Sequence, residues 1–179
     1  DKLQFVLCDF SGLYPTVKPT IDPVEMQIQS LVLIESCLDY LQLITTPRLK
    51  SLKIIRPLKS LTPIVFFLSQ PLDNLQYLAL WNMEFDAILW HENLEDLQKL
   101  KIPLRNLSLR HLKVPAKNFA LFLGFLEQFA DTLEELDLGV VDPIESKDVY
   151  LLIFSKFLKL KTLRLCLKQA PSSCLFYER

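Results

Sequence analysis

A leucine pattern, L-x-x-L-x-[LI], returns five times along this 179-residue chain at nearly even spacing. It occurs as Leu49-Leu52-Ile54, Leu75-Leu78-Leu80, Leu104-Leu107-Leu109, Leu133-Leu136-Leu138 and Leu160-Leu163-Leu165. The central leucines are separated by 26, 29, 29 and 27 residues. A fixed period of this size means that one supersecondary unit is repeated and that the units stack, since none can bury its apolar side alone. Leu38-Leu41-Leu43 and Leu97-Leu100-Ile102 also fit the pattern, but they break the even register.

The intervals between the motifs carry a helical apolar period. The clearest places Phe119, Phe122, Leu123, Leu126 and Phe129 on one face after Pro115, the spacing of a half-buried helix. Others run through Ile64, Phe67 and Leu68 after Pro63, through Ile88, Leu89 and Leu94, and through Val149, Leu152, Ile153 and Phe157 after Pro143. Strand then helix, repeated, predicts an α/β solenoid. Strands pair about 4.8 Å apart and helices need about 10 Å, so the parallel strands should line the concave side of a horseshoe and the helices its convex side. One domain is expected over 1–179, with regular repeats at 49–168 and a short cap at 169–179. Residues 1–48 read as one enlarged repeat or two degenerate ones, with a strand at Leu3–Leu7 and a helix through Met26, Leu31, Ile34, Leu38 and Leu41. Leu175, Phe176 and Tyr177 leave the last repeat without a polar cover, and a second contact is expected at that edge. The opening Asp1-Lys2-Leu3-Gln4 has no initiator Met and no signal peptide, so a fragment of a longer protein is expected.

The motif and its period resemble the leucine-rich-repeat superfamily over most of the chain. Three residues beyond the last leucine of the motif, where receptor-type repeats carry Asn or Cys, stand Pro57, Met83, Leu112, Val141 and Lys168. Irregular spacing, and the run from Phe122-Leu123 to Thr132-Leu133-Glu134-Glu135-Leu136-Asp137-Leu138, look more like the repeats of F-box/leucine-rich-repeat proteins. That resemblance implies substrate recognition in an F-box-type (SCF) ubiquitin ligase, with Skp1 and cullin engaged through a region outside this chain, and an intracellular location. The alternatives are a scaffold domain in a stable complex and, with less support, an extracellular ligand-binding repeat domain.

Composition and motifs argue against other classes. Net charge is −1, which gives no concentrated basic face for nucleic acid or an anionic membrane, and no apolar run approaches the ~20 residues of a membrane span. Three glycines make no phosphate loop, and His91 and His111 have no partners at metal-ligand spacing. No catalytic residue, metal or cofactor is assigned. The four cysteines lack a C-x-x-C pair and read as buried small hydrophobes, with a Cys166–Cys174 bridge left open. The sequon Asn106-Leu107-Ser108 falls inside a predicted strand and is taken as accidental.

A protein partner is expected instead, on the outward strand positions. The residues singled out are Lys53, Tyr77, Trp81, Ser108, Arg110, Glu135, Asp137 and Arg164. Tyr, Trp and Arg are the types most enriched in binding hot spots, so Trp81 and Arg110 are expected at the centre. The plainer alternative is that Trp81 packs on a neighbouring strand and Arg110 pairs with Asp137.

Overall fold

The structure, a computed structural model, describes residues 24–34, 41, 44–56, 62–84, 102–114, 119–142, 155–166 and 174–178. It is an α/β fold with a mostly parallel sheet. In chain order the elements are β1 (Val24–Glu25), β2 (Ser30–Ile34), β3 (Ile44–Thr45), β4 (Ser51–Ile55), α1 (Thr62–Leu68), β5 (Tyr77–Glu84), β6 (Asn106–Lys113), α2 (Phe119–Glu127), β7 (Glu135–Asp142), β8 (Thr162–Cys166) and β9 (Cys174–Glu178). Seven strands form one sheet in the order β2-β4-β5-β6-β7-β8-β9, and β1 pairs with β3 in a separate parallel ribbon.

The leucine motif sets the register. Leu52 stands beside Leu78, Leu78 beside Leu107, Leu107 beside Leu136 and Leu136 beside Leu163. Equivalent positions therefore lie side by side with no stagger, and each strand is laid down next to the one before it. Where each strand begins, one carbonyl accepts two backbone N–H groups of the next unit: Lys50 from Gln76 and Tyr77, Gln76 from Arg105 and Asn106, Arg105 from Glu134 and Glu135, Glu134 from Lys161 and Thr162. The inward leucines join Ile64, Phe67 and Leu68 of α1 and Phe122, Phe125 and Leu126 of α2 in a single core. The α2 face is rotated slightly from the expected one, with Phe125 buried and Leu123 only half-buried.

Two expectations are corrected. Residues 30–34, expected in a helix, form β2, which pairs parallel with β4 and sets Leu31 beside Leu52. Leu31 and Leu33 are buried while Val32 and Ile34 are half-buried, an alternation of period two that decides for a strand. Ile28-x-x-Leu31-x-Leu33 is in fact a further copy of the motif, with Ile28 buried and the Gln29 carbonyl accepting from Lys50 and Ser51. The second correction is at the other end, where residues 174–178 form β9 and extend the sheet antiparallel to β8. The expected strand at Leu3–Leu7 and the apolar stretches at Ile88–Leu94 and Val149–Ile153 lie outside the described residues.

Three residues at equivalent repeat positions take a left-handed backbone, Arg56 (φ 48°), Asn82 (φ 54°) and His111 (φ 53°). This conformation costs a residue with a Cβ roughly 1 kcal/mol or more, least for Asn. In β6 the kink reverses the alternation: Leu109 is buried, Arg110 half-exposed, His111 exposed and Leu112 buried again. Register resumes beyond it, Trp81 beside Arg110 and Met83 beside Leu112.

A ladder of charges runs along the strand starts. Lys161 Nζ donates to Glu134 Oε2 at 2.6 Å, and Arg105 Nη1 lies 3.6 Å from Glu134 Oε1. The hydrogen bond from Lys161 and its charge hold the Glu134 carboxyl below the usual range against the opposing effect of desolvation, and Arg105 and Lys159 add lesser contributions. A depressed folded value gives stability that is present above the unfolded pKa, about 4.3, and lost as pH falls through the folded one. Melting temperature followed below about pH 5 should therefore fall less steeply in Glu134→Gln than in the wild type. Parallel curves for the two proteins would contradict this origin.

Candidate functional site

One face of the sheet is covered by the helices; the other is open, and β4 to β8 present the outward motif positions on it. Lys53, Ala79, Ser108, Asp137 and Arg164 form one cross-strand row, and Ile55, Trp81, Arg110 and Gly139 the next. Tyr77 and Glu135 belong to a third row, with Asn106 between them and Thr162 beyond.

Five of the eight expected site residues form one connected network. Lys53 Nζ lies 3.6 Å from the centre of the Trp81 ring and Arg110 Cζ 4.7 Å from it, so cations from both neighbouring strands flank the indole. Such contacts are worth about 0.5–2 kcal/mol, most when desolvated. Trp81 Nε1 donates to Ser108 Oγ at 2.9 Å, and Ser108 Oγ donates to Asp137 Oδ2 at 3.3 Å. Arg110 Nε donates to the same Oδ2 at 2.7 Å, and Arg110 Nη2 also bonds it. Three donors converge on one oxygen, while Asp137 Oδ1 is buried with no hydrogen-bond partner. Trp81 thus packs across a neighbouring strand and Arg110 pairs with Asp137, as the plainer alternative had it. Ser108 is only 5% exposed; it joins Trp81 to Asp137 and presents little contact surface.

Small residues make room for this network. Ala79 lies on the open face yet is fully buried, in the row of Lys53 and next to the row of Trp81. Gly139 matters more, because a Cβ built there would stand 2.9 Å from Arg110 Cγ and 3.4 Å from its Cβ and Cδ. The arginine stem lies across β7 only because position 139 has no side chain. A lone glycine inside a strand is the signal that could have marked it, since such residues often admit a close approach.

Tyr77, Glu135 and Arg164 line a neighbouring cleft of about 250 Å³ with Asn106, Thr162 and Arg110. Burial pushes the Tyr77 hydroxyl above its usual range, Arg110 opposing and the charges of Asp137 and Glu135 adding to the rise. Among the described residues Glu135 and Arg164 enter no ion pair. Small-molecule sites run to about 300–1,000 Å³; this cleft is smaller, which suits one or two side chains of a protein.

Compared with family models, with characterised proteins and with solved structures, the chain finds no match. The site therefore rests on its own geometry. Among the described residues no group of three His, Cys, Asp or Glu is placed to hold a metal, and no helix is long and apolar enough to cross a membrane. Cys166 is half-exposed and disulfide-bonded, and it stands opposite Cys174 in the β8–β9 register.

Proposed function

We propose that this chain is a leucine-rich-repeat solenoid that binds a protein partner on its open, concave sheet face. The observation that carries the reading is the zero-stagger register of consecutive motif strands, each fastened to its predecessor by the same pair of backbone N–H groups. With helices on one side only, such a stack curves toward its strands, which gathers the outward residues onto one surface. That surface holds Tyr, Trp and Arg around a small cleft, the composition of a binding hot spot. Within this reading the resemblance to F-box repeats favours substrate recognition for a ubiquitin ligase, and co-purification of Skp1 and cullin with the full natural protein is its test. A second reading, an extracellular ligand-binding domain, draws support from the disulfide at Cys166, a bond that a reducing cytosol does not sustain.

The binding surface is best tested at the cleft, where Tyr77 and Arg164 are half-exposed and outside the Trp81 network's hydrogen bonds. Proteins captured by the immobilised chain should be compared with those held by a Tyr77→Ala/Arg164→Glu variant. A discrete set lost at least tenfold by the variant, at unchanged melting temperature, is the expected result. Identical capture by both would refute the cleft as the contact.

A further inference from the structure

The open face is electrically lopsided. On β2, β4, β5 and β6 the outward positions before the kink carry two cations, Lys53 and Arg110, and no acid. The nearest outward acid, Asp137 on β7, is spent on Arg110. Lys53 has no carboxylate within ion-pair reach among the described residues; it is pressed against the Trp81 ring with Arg110 against the same ring. Consistent with an uncompensated charge, burial and then the repulsion of Arg110 lower the Lys53 amine from its usual pKa.

The positions of these charges are fixed in advance. The hydrogen bond to Ser108 holds the indole, two bonds to Asp137 and the bare backbone of Gly139 hold Arg110, and the indole supports Lys53. A prearranged charge loses less side-chain freedom when a partner arrives.

We infer that the β4–β6 part of this face is the docking site for an acidic protein segment, one of whose carboxylates pairs with the Lys53 ammonium beside Trp81. The inference rests on the protein-binding reading and adds the partner's chemistry to it. The carboxylate supplies the counter-charge that the sheet lacks there. The other half carries Glu135 on β7 and the exposed Glu178 on β9 against one cation, Arg164 on β8, so it is the less favourable end for the same segment. Charge complementarity of this kind fixes register as well as attraction.

The probe is a fluorescein-labelled oligoglutamate peptide followed by anisotropy, with oligolysine and a single-stranded oligonucleotide as the other arms. Oligoglutamate should bind, Lys53→Gln should weaken it severalfold and Lys53→Glu about tenfold or more, since reversal adds like-charge repulsion. Glu135→Gln should leave the affinity unchanged or tighten it. In amine-detected NMR, added peptide should move the Lys53 pKa upward. Equal affinity of wild type and Lys53→Glu, no binding of oligoglutamate, or equal binding of the oligonucleotide would overturn the inference. If the Tyr77/Arg164 variant still loses its captured proteins while Lys53→Glu keeps them, the binding surface stands and the acidic partner falls.

Discussion

Replacing Phe125 with Ala should remove about 3–5 kcal/mol of stability, as large a loss as is expected from any single side chain here. The ring is 1% exposed and meets Phe129 edge to face, with centroids 5.4 Å apart and planes at 86°. Its helix has little else to hold it. α2 is nine residues long, with no acid in its first turn and no base in its last, so neither length nor helix dipole sustains it. Packing against the strand leucines must do so. Natural domains hold only about 5–15 kcal/mol in all, so the substitution takes a large share. For a chain of 179 residues it should lower the melting temperature by roughly 10 °C.

The same substitution should also broaden unfolding. Contacts between the motif strands run from each one to the next motif strand, β2 with β4, β4 with β5, β5 with β6, β6 with β7. Such a chain couples only adjacent units, and a weakened middle separates the two ends. Urea titrations of Phe125→Ala should show a lower midpoint and a shallower slope by circular dichroism. A loss below about 1 kcal/mol would mean that α2 does not close the core.

The sequence made the sheet legible because its repeat is a statement about register. Once the central leucines fall 26 to 29 residues apart, placing equivalent positions side by side is the one arrangement that buries all of them. The helix faces were legible for a related reason, since Phe67 and Phe122 recur at the spacing of an amphipathic turn. Residues 30–34 were misread because leucine density erases the distinction between periods. Leu31, Ile34, Leu38 and Leu41 satisfy helical spacing, while Leu31 and Leu33 satisfy a strand, and only pairing with β4 decides. The kinks were not foreseen, because Asn82 and His111 are of types enriched in the left-handed region but Arg56 is not, and three such residues do not form a recognisable motif. They carry Leu112, at one of the places where receptor-type repeats hold Asn or Cys, into the core.

The candidate site was half legible. Outward positions follow from alternation along each strand, and that rule found Lys53, Trp81, Arg110 and Asp137. What alternation omits is the lean of long side chains across strands. Trp81 reaches Ser108 and Arg110 reaches Asp137, each one strand over and one row away, so two apparent contact residues are bound to their neighbours first. Gly139 was passed over for the same reason: its importance lies in what another strand lays across it.

That importance can be measured. Gly139→Ala sets two effects against each other. Alanine is better than glycine in a strand by about 0.5–1 kcal/mol, whereas a Cβ within 2.9 Å of Arg110 Cγ must displace the arginine stem. The atom struck lies near the root of the side chain, so the whole guanidinium has to move. That loosens its bonds to Asp137, whose side chain is only 18% exposed, and its stacking on Trp81. Removing one partner of a largely buried charge costs more than the pair contributes, because the remaining charge is left desolvated. The displacement should therefore win in the wild type and vanish where there is no arginine to displace. In an Arg110→Ala background Gly139→Ala should be neutral or slightly stabilising. The double-mutant cycle should yield a coupling of about 1–2 kcal/mol by urea unfolding, within the range for residues in contact. Trp81 emission should change in Gly139→Ala and be indifferent to it once Arg110 is gone. A coupling near zero would mean that Arg110 reaches Asp137 equally well over a methyl group, and that the glycine has no part in setting the network.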